Sequence, residues 1–258
     1  MKKKLAVLLC AVMMAGTMLT GCGEKEMVYA VEAGSAGEKV ATEKEFKVNS
    51  VNSQADALME VASGTSGAAI IDLLMAGAMI GEGTSYPDLV LGEKLTTEEY
   101  GVGCRKGSDL VAFINMVFGE AYADGSMMEI AKTYGVHESI VEQAKSEFTA
   151  TEGGDVAYIQ EKGTLIVGIT DFAPMDYQDE KGEWIGFDAD MARMVADKLG
   201  VKVEFVVIDW DNKIMEIDTK NIDVVWNGMT LTDEVKAAMD CSNAYCNNAQ
   251  VVVLPAAK

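Results

Sequence analysis

Gly163-Thr-Leu-Ile-Val-Gly-Ile-Thr-Asp-Phe-Ala-Pro174, followed by Gly186-Phe-Asp-Ala-Asp190, is the stretch on which the fold turns. Leu165 to Ile169 reads as a strand, and Asp188 to Gly200 as a helix with a glycine stop. The alternation continues with a strand at Val203–Ile208, a short helix at Lys213–Asp218 and a strand at Ile222–Val225. A helix at Thr232–Met239 and a strand at Gln250–Leu254 complete this side. Strands alternating with helices predict an α/β class with parallel sheets.

The same alternation extends toward the N-terminus. Met27–Glu32 and Lys47–Val51 read as strands, with a turn at Gly34–Gly37 and a helix from Glu38 between them. Ser53 caps a helix through Val61, and Ala68–Ile71 is a short apolar strand ending at Asp72. An apolar helix covers Leu73–Ile80, a Gly/Pro loop 81–88, and strands Leu89–Leu91 and Glu99–Arg105. Ser108 starts a long helix to Tyr122, and Ser126 caps another to Tyr134. The charged stretch 138–155, ending in Gly153-Gly154, reads as a linker.

Residues 1–21 read as a lipoprotein signal peptide. Lys2, Lys3 and Lys4 precede an apolar run from Leu5 to Gly16, too short to span a bilayer as a stable helix. Leu19-Thr-Gly-Cys22 reads as a lipobox with Cys22 as the lipid attachment point. Residues 22–26 are then a short lipid tether, and two or more acyl chains give lasting membrane attachment. The net charge of −20 argues against nucleic acid and anionic lipid as partners. Cys104, Cys241 and Cys246 remain after the signal and anchor. A Cys241–Cys246 disulfide and three unpaired thiols are both open readings. There is no zinc-type Cys/His spacing, no calcium loop and no cofactor motif.

Tyr100-Gly-Val-Gly-Cys-Arg-Lys-Gly107 and Ala123-Asp-Gly-Ser126 are similar to the end of a polar-amino-acid solute-binding protein of ABC importers. The stretch from Gly163 resembles its beginning, so the chain resembles that family with its halves exchanged, a circular permutation. The resemblance implies a two-lobe α/β fold with the ligand cleft between the lobes. It places lobe II at residues 27–99 with 249–258, and lobe I at 100–248. Crossing strands are expected near Tyr100–Gly103 and Tyr245–Asn248, with 135–157 as the permutation linker. Family members usually carry a short helical stretch between the strands matched by Gln250–Leu254 and Val28–Val31, so lobe II is expected to be trimmed.

The resemblance also implies site residues. Asp72 matches the acid that binds the ligand's ammonium, although its position also suits a helix N-cap. Gly34 and Ser35 sit in a turn whose free amides suit an anion, or form only a tight turn. Asn227, Gly228, Met229 and Thr230 match the loop that holds the ligand carboxylate. Phe172 and Trp210 match aromatics that line the pocket, and Trp226 is a third candidate. Val235 stands where the family's carboxylate-clamping arginine belongs, and Lys236 faces elsewhere on its helix. Asp171, Asp176, Asp209 and Asp211 read as solvated loop acids, and Met75, Met79, Met191 and Met194 as core.

The expected function is a substrate-binding lipoprotein of an ABC importer, on the extracytoplasmic face of the cell membrane. It would close two lobes on a small polar amine-bearing solute and dock on an ABC permease. Two alternatives are a non-transport, sensor-like lipoprotein and a small-acid lyase on the same fold. His137, the only histidine, falls in the linker, and no nucleophile–base pair is visible.

Overall fold

The computed structural model describes residues 26–257. The expected signal peptide, the expected lipid attachment point Cys22 and residues 22–25 of the expected tether lie outside the described residues.

Two five-stranded sheets organise the chain. The first has the order β2-β1-β3-β14-β4 and draws on both ends of the described chain. It comprises β1 (Val28–Glu32), β2 (Lys47–Val51), β3 (Ala68–Asp72), β4 (Leu89–Lys94) and β14 (Gln250–Pro255). Central β3 is buried throughout, as its Ala-Ala-Ile-Ile run requires, whereas edge strand β2 is polar and partly exposed. Helices α1 (Ala36–Glu43), α2 (Gln54–Ser63) and α3 (Leu73–Met79) connect these strands. Ser35 and Ser53 cap α1 and α2, accepting from the amides of Glu38 and Asp56.

The second sheet has the order β10-β7-β11-β6-β12. Its strands are β6 (Gly103–Cys104), β7 (Thr164–Ile169), β10 (Lys202–Val207), β11 (Val224–Val225) and β12 (Asp240–Cys241). Its helices are α4 (Leu110–Asp124), α5 (Ser126–Thr133), α6 (Asp155–Lys162), α7 (Phe187–Leu199), α8 (Lys213–Asp218) and α9 (Asp233–Ala238). A small hairpin of β8 (Tyr177–Gln178) and β9 (Trp184–Ile185) precedes α7. Between the sheets the chain crosses twice, in β5 (Glu98–Tyr100) and β13 (Cys246–Asn248), which pair antiparallel.

The class is α/β, but the sheets are mixed rather than parallel. β14 runs antiparallel to β3 and β4, and β6 antiparallel to β11 and β12. Each enters its sheet straight from a crossing strand, with no helix to carry the chain back to the starting edge. The single strand expected over Glu99–Arg105 is broken at Gly101-Val102. There the Gly101 N–H donates to the Met229 carbonyl at 3.0 Å, and a side chain on Gly101 would meet Leu231.

The stretch expected to be a linker is pinned to the body. Ile140 bridges Cys246, and the Val141 N–H donates to the Tyr245 carbonyl. Phe148 packs edge-on against Phe113 at 5.1 Å. The Asp109 carboxylate accepts from the amides of Thr151 and Val156, so it orders the entry to α6, a helix absent from the sequence reading. Arg105, at 8 % exposure, then ties α6 to the sheet by ion pairs to Asp155 at 3.0 Å and to Asp223, just before β11, at 3.5 Å. Ser126 is the first residue of α5 rather than its cap, a place taken by left-handed Gly125. Helix α1 starts two residues before the expected Glu38, and α4 two residues after Ser108.

Cys104 and Cys246 are buried and Cys241 is half-buried, and among the described residues no disulfide joins any of the three. Met75 and Met191 are buried, while Met79 and Met194 pack against the core from its margin. Among the described residues no helix is long and apolar enough to cross a membrane.

Candidate functional site

A cavity of about 390 Å³ opens between the two sheets, at the carboxyl ends of β1, β7, β10 and β11. Open α/β sheets place ligands there, because loops and helix starts converge on those strand ends. The first sheet supplies Glu32, Gly34, Ser35 and, from α2, Gln54. The second supplies Thr170, Phe172, Trp210, Asp211, Lys213, the loop Asn227–Thr230, and Val235 from α9. Eight of the nine ligand residues expected from sequence therefore line this one cavity, from its two sides: Gly34, Ser35, Phe172, Trp210, Asn227, Gly228, Met229 and Thr230.

Asp72 is the exception. Its carboxylate is 4 % exposed, does not line the cavity and makes no side-chain cap to α3. It accepts from the Tyr100 hydroxyl at 2.7 Å, Gln250 Nε2 at 3.0 Å, and the amides of Gln54 and Asn248. Four protein donors take the place of a ligand ammonium. Burial, with Glu98 nearby, pushes its pKa up to about 7, and the hydrogen bonds from Tyr100, Gln54 and Asn248 oppose that rise.

The Gly34–Ser35 turn does not present a bare anion cradle. The Gly34 N–H donates to Glu38 Oε2 at 2.8 Å, the Glu38 N–H to Ser35 Oγ at 3.1 Å, and the Ser35 N–H to the Glu32 carbonyl. This is close to a capping box, and it sets the Glu38 carboxylate where an anionic ligand group would have to sit. Gly34 is left-handed, at φ +69°, and a methyl there would lie 2.6 Å from the Asp211 Cα on the opposite wall. Lys213 Nζ donates across the cleft to the Gly34 carbonyl at 2.8 Å. The two walls are therefore in contact at this point.

The opposite loop is set by buried groups. Gly228 has φ +55°, and its N–H donates to Asp188 Oδ2 at 2.6 Å. A Cβ there would stand 2.5 Å from Phe172, so the close approach requires glycine. Asn227 Oδ1 accepts from the Thr170 N–H, and Asn227 Nδ2 is buried with no partner among the described residues. Met229 is 1 % exposed, and Thr230 Oγ1 donates to Glu98 Oε2 at 3.0 Å. Trp226 is core, packed on Phe118 and Tyr245, not cavity. Trp210 lines the cavity, but Lys213 Nζ lies 5.1 Å from its ring centroid. Val235 is on the wall, and Lys236 is exposed and off it.

Three groups escaped the sequence reading. Glu32 closes β1 at 3 % exposure on the cavity wall, and burial followed by the charge of Asp72 raises its pKa to about 8. Lys213, read only as a helix start, is a buried cleft cation whose pKa is lowered by burial. Asp176, expected to be solvated, is fully buried with neither oxygen partnered among the described residues, and burial beside Asp188 drives its pKa well up. Asp211 lines the cavity, whereas Asp171 and Asp209 are exposed loop acids. Position at a strand's carboxyl end was the available signal for Glu32, the same signal that singled out Asp72. His137 is exposed and away from the cleft. No metal-type cluster occurs among the described residues.

Two sheets, two crossings and a polar cleft between them define a two-lobe α/β protein. Residues 165–258 match the family of bacterial extracellular solute-binding proteins, family 3. The L-cystine-binding protein TcyJ of Escherichia coli (strain K12) is 36 % identical over 88 residues, 34 % of this chain and 33 % of its own length. A probable amino-acid ABC transporter-binding protein of Haemophilus influenzae is 32 % identical over 107 residues, 41 % of this chain and 42 % of its own. The cyclohexadienyl dehydratase of Pseudomonas aeruginosa is 35 % identical over 77 residues, 30 % of this chain and 29 % of its own. The chain thus has homologues among amino-acid-binding proteins, and an enzyme stands among them. The matches span about a third to two fifths of these relatives' lengths.

Proposed function

We propose that the chain is the substrate-binding component of an ABC importer, a lipoprotein that closes two lobes on a small polar amine-bearing solute. The observation that carries the reading is the cavity itself. Loops 34–36 and 227–230, from different sheets, face each other across it, and Lys213 bridges the walls. Contacts that form only when both walls meet are what bias a lobe equilibrium toward the closed state. The kinship of residues 165–258 to solute-binding proteins supports the ligand class.

In this reading the chain is a circular permutant. Lobe II takes residues 27–99 and 249–258, lobe I takes 100–248, and stretch 135–157 bridges the family's usual termini. The first sheet's draw on both chain ends supports that arrangement. Cys22 carries the lipid, and the closed face meets the permease.

The test is thermal unfolding of a soluble form starting at Gly23 against amino acids, polyamines, betaines and small carboxylates. A ligand at a hundred times its Kd adds about 2.7 kcal/mol, a clear shift. Absence of a shift across the whole panel refutes the binding role.

A further inference from the structure

We propose that Glu32 is the counter-anion for a protonated primary amine of the ligand, the residue that decides which solutes the cleft accepts. The proposal deepens the binding role above and rests on it.

Glu32 ends β1, flanked by β2 and β3, and its side chain forms part of the cavity wall at 3 % exposure. Its Oε1 is buried with no hydrogen-bond partner, and Glu32 has no ion-pair partner among the described residues. A buried carboxyl in that condition is expensive to keep charged, so it either stays protonated or takes a cation. No described residue pairs with it directly. Lys213 is the basic group whose charge reaches Glu32, but its ammonium is engaged by the carbonyls of Gly34 at 2.8 Å and Trp210 at 3.1 Å. Thr170 and Gln54 lie near enough to ease the charge in part. Asp72, the neighbouring buried acid, is already saturated by four donors.

The surroundings favour the same ligand group. The cavity wall carries five acids, Glu32, Glu38, Glu43, Asp211 and Glu234, against Lys39 and Lys213. The ligand group must also carry N–H donors, since only a donor satisfies Oε1. A quaternary ammonium has none, and the face of Trp210 that an aromatic cage would need is already covered by Lys213. A primary ammonium meets both demands.

The experiment is calorimetric titration of the soluble chain with L-lysine, L-histidine, L-cystine and putrescine. Each is used as the free amine and in its N-acetylated and N-trimethylated forms, on the natural chain and on Glu32→Gln. At least one free amine should bind, and acetylation or trimethylation should weaken it 30-fold or more, as loss of a buried charge partner does. Glu32→Gln keeps the side-chain volume and should bind the three forms with similar affinity. A natural chain that binds the trimethylated or acetylated form as tightly as the amine overturns the proposal, whether or not the variant folds. So does a Glu32→Gln chain that retains the preference. In both cases the cleft remains a binding site. If no compound of this set or of the wider amine and carboxylate panel binds, the binding role falls and the assignment of Glu32 falls with it.

Discussion

Replacing Gly34 by alanine should hold the cleft open, and the structure separates that effect from ordinary backbone strain. Gly34 sits at φ +69°, where an L-residue costs about 1–2 kcal/mol. Gly64, the C-cap of α2, sits at φ +76° with nothing within 4 Å of an added Cβ. Both substitutions therefore share the backbone cost, about 2–8 °C in melting temperature for a chain of this size. Only at Gly34 does the new methyl meet the other wall, 2.6 Å from the Asp211 Cα and 2.7 Å from its Oδ1. Ordinary contact begins near 3.4 Å, so the walls must part by most of an ångström at that point. Parting them stretches the 2.8 Å bond from Lys213 to the Gly34 carbonyl and uncovers Trp210, which is 8 % exposed in the closed cleft. Acrylamide quenching reads this directly. In a Trp184→Phe background the remaining indoles are Trp210 and fully buried Trp226. Gly34→Ala should raise the quenching constant and Gly64→Ala should not. Equal quenching in the two variants would refute the argument that Gly34 sets how closely the lobes meet.

Asp72→Ala should act on stability more than on ligand affinity, because it strands the buried donors of Tyr100, Gln54, Asn248 and Gln250. The cost should be about 3 kcal/mol or more by urea unfolding, and a stability within 0.5 kcal/mol of the parent would contradict the saturated network. Stability should fall as pH rises from 5 to 8.5. Glu32 at about 8, and Asp72 and Asp188 at about 7, are raised above their unfolded values. Their contribution is full below the unfolded carboxylate range and is lost as pH passes each folded value, at up to about 1.4 kcal/mol per pH unit per group. Glu32→Gln should flatten the upper part of that slope in melting curves, and an unchanged slope would count against the Glu32 assignment. Val235→Arg restores a cation to the cavity wall beside Thr232 and Glu234, and should strengthen binding of α-amino acids about tenfold or more by calorimetry. A variant no tighter than the parent would mean the α-carboxylate does not face α9.

The strongly periodic elements were legible in the sequence because their signals are local. Ser53 with the helix after it, Gly200 as the stop of α7, and the apolar run of β3 each carry their own evidence within a few residues. The mixed direction of the sheets was not legible, since antiparallel entry of β6 and β14 follows from the crossing strands rather than from any pattern inside them. Nor was α6, whose start is ordered by Asp109, some 45 residues earlier in the chain. The site shows the same division. Strand ends pointed to the loops that line the cavity, but whether a carboxylate at such an end is spare or satisfied depends on distant partners. Asp72 and Glu32 end neighbouring strands, yet Asn248 and Gln250 reach Asp72 from 176 and 178 residues away and leave Glu32 Oε1 without a partner among the described residues.

That division locates the coupling between cleft and hinge. Asp72 shares Gln250 with Glu98, and Glu98 in turn accepts from Thr230 of the cavity loop. Asp188 accepts from both the Gly228 N–H and the hydroxyl of Tyr245, the residue just before β13. The loop 227–230 is thus tied to β5 by part-buried links through Glu98 and to the residue before β13 by buried links through Asp188, where bond strength is least screened. Under the proposed binding role, a group bound against Gly228 or Thr230 would act on β5 and β13 without any intermediate domain, and a rotation about those strands would act back on the loop. Nothing in that linkage depends on which segment of the chain is made first. It needs two sheets, two adjacent crossing strands and strand ends that face one another. Under the permuted arrangement proposed above, exchange of the halves would leave intact the parts on which closure depends, so that arrangement is compatible with the proposed receptor.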